Sequence, residues 1–410
     1  MNKEKHMNMQ KSWTSYQHIS ETFSENMSEL DWFKRHRTES FNQLGHLVPP
    51  IIERLDYSDW PLWNIEDLPI NDNLSTKTTK LVPEEVLIYT FEEAFSKEKI
   101  LFRKCFEESD FMTVEDFYQA YTSSFLTDGL FVYIPENVHV ELPVELNFTQ
   151  NKSVTNRQVL IYASANSSVK IIDQYESADA HYVNTLNNHI QIVAKEGSNV
   201  HYSSLDQLSK QTTGFIRRNA RLRKDATVNW ALGSMSNGNI IEDIEVFLEG
   251  SGSTSDVKTV AISNHQQTQV INVHVMNIGH NTIGNIFQHG VVLDQSTLTF
   301  NGIGRIIKNA KNSDAQQESR ILMLSDDARA DANPILLIDE YQVTAGHAAS
   351  ISRVDQTQLY YLMSRGLDEK QAEKLVIRGF LGSVLTEISN TEVRQELSET
   401  IERKLAQYGN

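Results

Sequence analysis

The sequence predicts a mainly β protein built around a parallel β-solenoid, with helical segments before and after it. From residue 129 to residue 354, short β-branched runs alternate with Gly, Asn, Asp and Ser, which is typical of strands joined by turns. A repeat near thirty residues favours stacked coils over a sandwich. Here a turn followed by a valine recurs at spacings of 31, 28 and 29 residues, at Val169, Val200, Val228 and Val257.

The central region, residues 129–354, comprises 226 residues, which is enough for about eight coils. Each coil adds strands beside those of the previous coil at a spacing of ~4.8 Å. The repeat is imprecise and lacks a Gly-Gly-x-Gly-x-Asp calcium signature, so an antiparallel β-sandwich is an alternative. Because a stack of coils exposes edge strands at both ends, we expect the flanking helical segments to cover those ends.

Residues 1–128 form the first predicted domain, which is helical and irregular. Apolar residues at helical spacing predict helices over residues 29–41 and 83–106. A third helix is predicted over residues 113–125, with Thr113 as its N-cap. The aromatic segment Trp60-Pro-Leu-Trp63 predicts a packed loop rather than a helix, because a proline interrupts it.

Residues 355–410 form the third predicted domain, which is helical. Asp355 can cap a first helix that Gly366 closes, and Asp368 can begin a second. A third helix is predicted from about Thr391. On the second helix, small and apolar residues share one face, with small residues at positions 379 and 383; the face comprises Ala372, Leu375, Val376, Gly379, Phe380 and Ser383. This face either packs on the β region or forms a docking surface for a partner.

The composition excludes several classes of protein. Of the 410 residues 40% are hydrophobic and 22% charged, and no run approaches the ~18 apolar residues that span a bilayer. Residues 1–16 resemble neither a secretory signal nor a transit peptide, so we expect a cytoplasmic protein. The net charge of −17, with no basic run interleaved with aromatics, argues against nucleic acid as a ligand. The single cysteine, Cys105, excludes an intrachain disulfide and a thiolate-rich metal site.

The sequence contains no recognisable catalytic motif. There is no Walker A sequence, no nucleophile elbow and no His-Glu-x-x-His. Four histidines in the late β region are spaced by 9, 6 and 9 residues, which matches no compact ligand motif. We expect them to be hydrogen-bonded residues of the solenoid. They are His265, His274, His280 and His289.

Three carboxylates, Asp326, Asp327 and Asp331, lie shortly before Asn333 and Pro334. Glycoside cleavage requires a pair of carboxylates, so a β-helix enzyme acting on acidic polysaccharide is one alternative. Acidic residues beside Pro and Asn usually mark a solvated turn, and we find neither an export signal nor a basic cleft for an anionic substrate. We therefore expect a protein that is not an enzyme.

One histidine, His347, lies among small residues at the end of the β region, in the segment Ala345-Gly-His-Ala-Ala. Small neighbours leave the imidazole accessible to a partner surface, and neutral imidazole is a competent iron ligand. The alternative is a histidine whose hydrogen bonds are satisfied within a turn.

Ordered segments between residues 280 and 366 resemble the SufB/SufD family of iron–sulfur cluster assembly proteins. Weaker similarity extends to the segments that begin at Asp128 and Trp60. The resemblance implies a right-handed parallel β-helix between helical terminal domains. The segments that carry it are His280-Asn-Thr-Ile-Gly, Thr299-Phe-Asn-Gly, Asp314-Ala-Gln-Gln-Glu-Ser-Arg, Ala332-Asn-Pro, Ala345-Gly-His and Leu359-Tyr-Tyr-Leu-Met-Ser-Arg-Gly.

The resemblance also implies partners. In this family SufB, SufD and the ATPase SufC form a complex, and a nascent cluster forms at the SufB–SufD interface. A histidine of the late β-helix is implied as an iron or cluster ligand, and His347 matches it. SufB-like chains carry a cysteine where this chain has Ala345, so the resemblance is to the SufD branch. The residues implied to contact the ATPase are Leu359, Tyr360, Tyr361, Leu362, Arg365, Gly366 and Phe380.

Together these expectations describe a noncatalytic scaffold subunit that pairs with a SufB-like homologue and docks a SufC-like ATPase. Because iron–sulfur clusters require mainly thiolate ligands, this chain cannot hold a cluster alone. We expect no tightly bound cofactor in the isolated chain and a transient iron or iron–sulfur cluster in the complex. The alternative is a purely structural β-helix that pairs with a homologue, or with a second copy of itself, and ligates no metal.

Overall fold

The computed structural model describes residues 16–26, 30–68, 84–385 and 391–407. The strands are β1 (Leu87–Thr90), β2 (Asp128–Ile134), β3 (Val144–Gln150), β4 (Val154–Ala163), β5 (Ser168–Ser177), β6 (Asn184–Ala194), β7 (Asn199–Gln207), β8 (Thr212–Leu222), β9 (Thr227–Ser234), β10 (Asn239–Leu248), β11 (Thr254–Ser263), β12 (Thr268–Asn277), β13 (Ile283–Val292), β14 (Thr297–Ile306), β15 (Asp314–Met323), β16 (Arg329–Ile338) and β17 (Thr344–Arg353).

The strands form a parallel β-helix in which the chain alternates between two sheets. The nine-stranded sheet has the order β1-β2-β4-β6-β8-β10-β12-β14-β16, and the eight-stranded sheet has the order β17-β15-β13-β11-β9-β7-β5-β3. Among the described strands only the pair β1–β2 is antiparallel. The predicted parallel β-helix of about eight turns is confirmed, and the antiparallel sandwich is wrong.

The strand register confirms part of the predicted valine repeat. Val169, Val200 and Val228 occupy one column of the eight-stranded sheet. Val257 departs from the repeat, because it lies opposite Trp230 rather than Val228. Because β11 pairs with β9 from Thr254 opposite Thr227, equal sequence spacing of the valines does not give equal structural position.

One corner of the β-helix repeats the same backbone conformation in seven successive turns. At each turn a residue with positive φ donates its backbone N–H to a carbonyl oxygen of the next turn, at 2.6–3.0 Å. Gly, Asn and Asp adopt this left-handed conformation at the lowest energetic cost, which explains why these types recur there. The seven residues are Asn137, Asn166, Gly197, Asp225, Gly252, Asn281 and Asn312.

The described N-terminal helices pack along the outer face of the nine-stranded sheet. A cluster of phenylalanines from these helices covers Phe131, Leu160 and Val193, which point outward from β2, β4 and β6. Arg217 of β8 links the sheet to these helices, since it forms an ion pair with Asp116, the N-cap of α5. The helices are α1 (Gln17–Asn26), α2 (Asp31–Leu44), α3 (Phe91–Lys97), α4 (Lys99–Glu107) and α5 (Phe117–Ser124), with 3-10 turns at Pro61–Trp63 and Asp110–Met112.

Three N-terminal predictions require comment. The helix predicted over residues 83–106 is wrong at its start, because Leu87–Thr90 is the strand β1 and the capping box of Thr90 and Glu93 begins α3 only afterwards. The helix predicted from Thr113 begins later, at Phe117, with Asp116 as its cap. The packed aromatic loop is confirmed as a 3-10 turn in which Leu62 is buried. Parts of the predicted segments, residues 1–15, 27–29 and 69–83, lie outside the described residues.

The C-terminal helices pack on the outer face of the eight-stranded sheet. The predicted caps are confirmed, because the Asp355 carboxylate accepts the Thr357 N–H and Gly366 ends the first helix with a φ of +99°. Ile377, Leu381, Leu397, Ile401 and Leu405 are buried against outward residues of β7–β15. The helices are α6 (Gln356–Ser364), α7 (Glu369–Leu385) and α8 (Thr391–Gln407); residues 386–390 and 408–410 lie outside the described residues.

Both groups of helices therefore cover the faces of the sheets. Among the described residues no helix buries the last turn, so the expectation that the helical segments cover both ends of the stack is not met there by the described helices. No helix in the described part of the chain is both long enough and apolar enough to span a bilayer.

Candidate functional site

The last turn of the β-helix, formed by β16 and β17, ends in an open edge. Among the described residues no strand pairs with the outer edge of either strand. None of the ten residues of β17 is buried, whereas all ten residues of β4 are buried. Unpaired N–H and C=O groups along two edges are a template for strand addition from another chain.

Apolar side chains are exposed at the same end. Ile338 continues the column of the buried Ile306, and Ile351 continues the column of the buried Ile321. They are 44% and 43% exposed, and Tyr341 between the two strands is fully exposed. The interior core of the β-helix thus reaches solvent at its last turn. An exposed apolar patch bordered by unpaired backbone groups is typical of a protein interface.

His347 lies on β17 in register with Gln317 of β15. The Gln317 side chain points into the β-helix, where its amide donates to the Ile335 carbonyl at 3.1 Å. Residues in register on neighbouring strands project to the same side of a sheet, so the His347 side chain projects over the interior at the open end. His347 is exposed. The imidazole therefore lies on the surface that a partner strand would cover.

The described residues around His347 do not complete a metal site. No group of three or more His, Cys, Asp or Glu side chains with metal-binding geometry occurs in the described part of the chain. Cys105 lies in the N-terminal helices and is 1% exposed, and burial raises the pKa of its thiol to about 12. A thiol with that pKa is not a thiolate ligand at neutral pH. Any further ligands of iron at His347 must come from outside the described residues.

The four histidines without a ligand motif are scattered along the late β-helix. His265 lies at a corner with a φ of +56°, and His280 lies at a turn. Burial lowers the pKa of His274. His289 is 3% exposed, and its Nε2 lies 2.9 Å from a Glu318 oxygen. None of these four histidines belongs to a group of metal-binding side chains in the described part of the chain.

The predicted carboxylate group is divided among separate ion pairs. Asp326 pairs with Arg353, and Asp331 pairs with Arg54 at 2.9 Å. Asp327 lies exposed in the turn between β15 and β16. These contacts are those of a solvated turn and an anchored loop, and they do not form a facing pair of carboxylates.

The residues implied to contact an ATPase lie on two sides of the C-terminal helices. Leu359 is 3% exposed and packs on the sheet, and Phe380 stacks on His289 with 5.4 Å between ring centroids. Tyr360 and Tyr361 are 74% and 56% exposed. Leu362 is half-buried, while Arg365 and Gly366 are exposed at the end of α6.

An apolar groove of about 980 Å³ separates α6 and α7 beside the open end. Of the helix face predicted from the sequence, Leu375, Val376, Gly379 and Phe380 line the groove and Ala372 is buried. The side chain of Ser383 lies outside the described residues. The packing side of α7 includes Ile377 and Leu381 instead. Arg320 and Arg353 of the β-helix line the opposite wall of the groove.

Comparison with known proteins identifies the family. Residues 146–380 match the model of the SUF system FeS cluster assembly SufBD core domain, and residues 65–146 match the model of the SufBD protein N-terminal region. The chain belongs to the SufB/SufD family of iron–sulfur cluster assembly proteins.

Three relatives illustrate the similarity. The chain is 34% identical to the iron–sulfur cluster assembly protein SufD of Bacillus subtilis, over 95% of this chain and 98% of that protein. It is 23% identical to SufB of the same organism, over 64% of this chain and 57% of that protein. A SufBD family protein of Mycobacterium leprae is 28% identical over 69% of this chain, which covers 33% of that longer protein.

Sequence reasoning missed the exposed apolar end of the β-helix. The run Ile335-Leu-Leu-Ile338 reads as an ordinary buried strand, and its exposure follows only from its place in the last turn. The signal that could have revealed it is the coincidence of this run with the end of the β region at about residue 354.

Proposed function

We propose that this chain is a noncatalytic subunit of an iron–sulfur cluster assembly complex and that it pairs with a SufB-like homologue through the open end of its β-helix. The observation that carries the proposal is the last turn, where two unpaired strand edges and exposed isoleucines surround His347. We expect a homologous β-helix to have an end of the same kind, which would let the two stacks meet with their strands and cores continuous.

In this proposal His347 supplies one ligand to iron or to a nascent cluster between the two subunits. Its imidazole is exposed on the surface that the partner would cover, and the small residues Ala345 and Ala349 flank it on the same face of β17. The thiolates that a cluster needs come from the partner, because the single cysteine of this chain, Cys105, is buried and lies far from His347 in the sequence.

The C-terminal helices provide the docking surface for the SufC-like ATPase. The exposed Tyr360 and Tyr361 and the groove between α6 and α7 offer aromatic and apolar contacts, and tyrosines are frequent anchors of protein interfaces. Because the groove adjoins the last turn, movement of a docked ATPase would act directly on the open end.

The test is co-expression of the chain with its SufB-like homologue and ATPase, followed by anaerobic purification. We expect His347→Ala to leave the three-subunit complex intact and to reduce the iron recovered with it several-fold, since a ligand is lost while the strand edge remains. The matched control is His181→Ala, because His181 is also exposed but lies in an early turn.

The outcomes separate the proposal from its structural alternative. A complex that forms normally and retains full iron with His347→Ala would exclude the ligand role and leave only the pairing role. A chain that is recovered without either partner would contradict the subunit assignment. A homodimer that gives way to the heterocomplex when the homologue is added would agree with pairing through a shared end.

A further inference from the structure

The interior of the β-helix contains a cluster of buried ionisable side chains that the proposed function does not use. Asp173 of β5 and Asp206 of β7 face Arg218 of β8 and Glu242 of β10 across the interior. Each of these four residues is at most 2% exposed. The surrounding interior is otherwise mainly aliphatic and aromatic.

The hydrogen bonds divide the cluster into two parts. The Arg218 guanidinium donates to Asp206 at 3.0 Å and to Glu242 at 2.8 Å, so one cation is shared by two carboxylates. The Asp173 carboxylate accepts the hydroxyl of Tyr175 at 2.7 Å and also that of Tyr202. Both bonds reach the same oxygen, Oδ2.

The charges of the cluster do not balance if every group is ionised. Three carboxylates face one guanidinium, which leaves two negative charges inside a desolvated core. The neighbouring Arg157 does not compensate them, since it is paired with Asp128 at 2.8 Å. Burying an uncompensated charge is far more costly than burying a neutral carboxyl group. The Oδ1 atom of Asp173 has no hydrogen-bond partner among the described residues, which also disfavours the ionised form.

We propose that this cluster is a proton-binding site in which Asp173 and Glu242 hold protons in the folded chain near neutral pH. A proton on Asp173 removes one of the two excess charges, and a proton on Glu242 leaves Arg218 paired with Asp206 alone. The site binds protons reversibly through groups that no partner can reach without opening the β-helix.

The electrostatic environment agrees with this assignment. Burial raises the pKa of Asp173 to about 7, against the opposing effects of Arg218 and of the two tyrosine hydroxyls, while Asp206 adds to the increase. Burial, followed by the repulsion of Asp206, raises the pKa of Glu242 to about 7, and the Ser234 hydroxyl and Arg218 oppose it. In the unfolded chain the two values return to 3.8 and 4.5.

The sign of the pH dependence follows. Between about pH 4 and pH 7 the folded chain holds protons on these carboxyl groups that the unfolded chain has released. Unfolding therefore releases protons, and the stabilisation that this binding gives the fold declines as the pH rises through that window. Above about pH 7 these carboxyl groups are ionised in the folded chain as well, so the stability no longer declines with pH.

The experiment compares the pH dependence of unfolding for the full-length chain and for Asp173→Asn, which keeps the shape of the protonated side chain. We expect the wild type to release about one proton more than the variant on unfolding near pH 6. The stability of the variant relative to the wild type should also rise between pH 5.5 and pH 8. Asp327→Asn, at an exposed turn, is the matched control and should keep the wild-type slope.

A second variant and a direct measurement keep the test decisive. Glu242→Gln should also release about one proton fewer than the wild type on unfolding near pH 6. If Asp173→Asn does not fold, Glu242→Gln takes its place in the comparison. The infrared carbonyl band of a protonated carboxyl group should appear in the folded wild type and titrate near neutral pH. Identical proton release by the wild type and both variants, or the lack of such a band at pH 6, would overturn the proposal.

Discussion

The two ends of the β-helix are built from the same strand stack but are covered differently. At the first turn β1 pairs antiparallel with β2, and Val86, Val140 and Val144 fill the end of the interior core. At the last turn β17 contains no buried residue, and isoleucines that continue interior columns are exposed. Both ends have unpaired edge strands, but among the described residues the interior columns are buried at the first end and exposed at the last, which gives the last end the chemistry of an interface.

This difference shows that covering the sheet faces and covering the ends of the β-helix are separate structural roles. The described N-terminal helices cover the nine-stranded sheet and the described C-terminal helices cover the eight-stranded sheet, and none of them buries a residue of β17. Because both sheet faces are covered and the interior columns are exposed at the last turn, the described stack is suited to extension from that end. The proposed pairing with a homologue rests on this contrast.

The largest expected effect comes from charging the open end. Replacing Ile338 and Ile351 together by Asp places two carboxylates where a partner core would pack, so we expect binding of the SufB-like homologue to weaken roughly a hundredfold or more. Analytical ultracentrifugation of the mixed subunits measures this loss, and circular dichroism checks that the fold is retained.

The matched control is at the first end of the stack. Leu142→Asp changes an apolar residue that is 62% exposed in the first turn, and it should leave partner binding unchanged. Equal loss of binding from the two ends would break the comparison, because it would mean that apolar exposure alone, and not the open edge, determines pairing.

A smaller effect concerns the attachment of the C-terminal helices to the middle of the β-helix. Lys404 of α8 is 5% exposed, and its ammonium donates to the carbonyl oxygens of Met235, Ser236 and Ile262 at 2.6–3.0 Å. Burial lowers the pKa of Lys404 to about 7, and the three carbonyl acceptors favour its protonated form. Lys404→Met removes these hydrogen bonds and leaves buried carbonyls without the donor. We expect the free energy of unfolding to fall by about 3 kcal/mol and amide exchange in α8 to rise.

This variant also sharpens the comparison of the ends. If the open edge itself recruits the homologue, Lys404→Met should still bind it, because β16 and β17 are unchanged. The control Lys308→Met alters an exposed lysine and should shift stability by less than about 0.5 kcal/mol. Loss of homologue binding in Lys404→Met, with the β-helix still protected from exchange, would show that the helices and not the edge carry the interaction.

Much of the fold could be predicted from the sequence because its cause is local and repeated. The recurrence of Asn, Gly and Asp about every 29 residues marks the corner at which the backbone adopts positive φ, and β-branched runs between such residues mark the strands. The helix caps at Asp355 and Asp368 were predictable for the same reason, since a cap depends on a few adjacent residues.

The rest depends on what lies next to a residue in space. Leu87–Thr90 has an apolar pattern that suits a helix as well as a strand, and its pairing with β2 decides between them. The alternation of Ile171, Asp173 and Tyr175 places the carboxylate on an inward face, but only the fold brings Arg218 and Glu242 near it. His347 was singled out by its small neighbours at the end of the β region and by family resemblance, but its place beside exposed interior columns follows only from the stacking of the strands.

The smallest expected effect tests whether the open end is formed before a partner binds. Asn137 near the first turn and Asn312 near the last have nearly equal φ values of 61° and 60°. In that conformation alanine carries a steric penalty that glycine lacks, so each Asn→Ala variant should be less stable than the corresponding Asn→Gly variant by about 1 kcal/mol.

Chemical denaturation of the four variants gives the two differences. Each difference cancels the lost side-chain hydrogen bond, such as that from Asn312 to Asn281, and isolates the backbone term. Equal differences at the two corners mean that the last turn is as fully formed in the free chain as the first, so the partner meets a preformed edge. A difference that vanishes at residue 312 alone would mean that the last turn is completed only on binding, and the open end would then be a segment that folds with its partner.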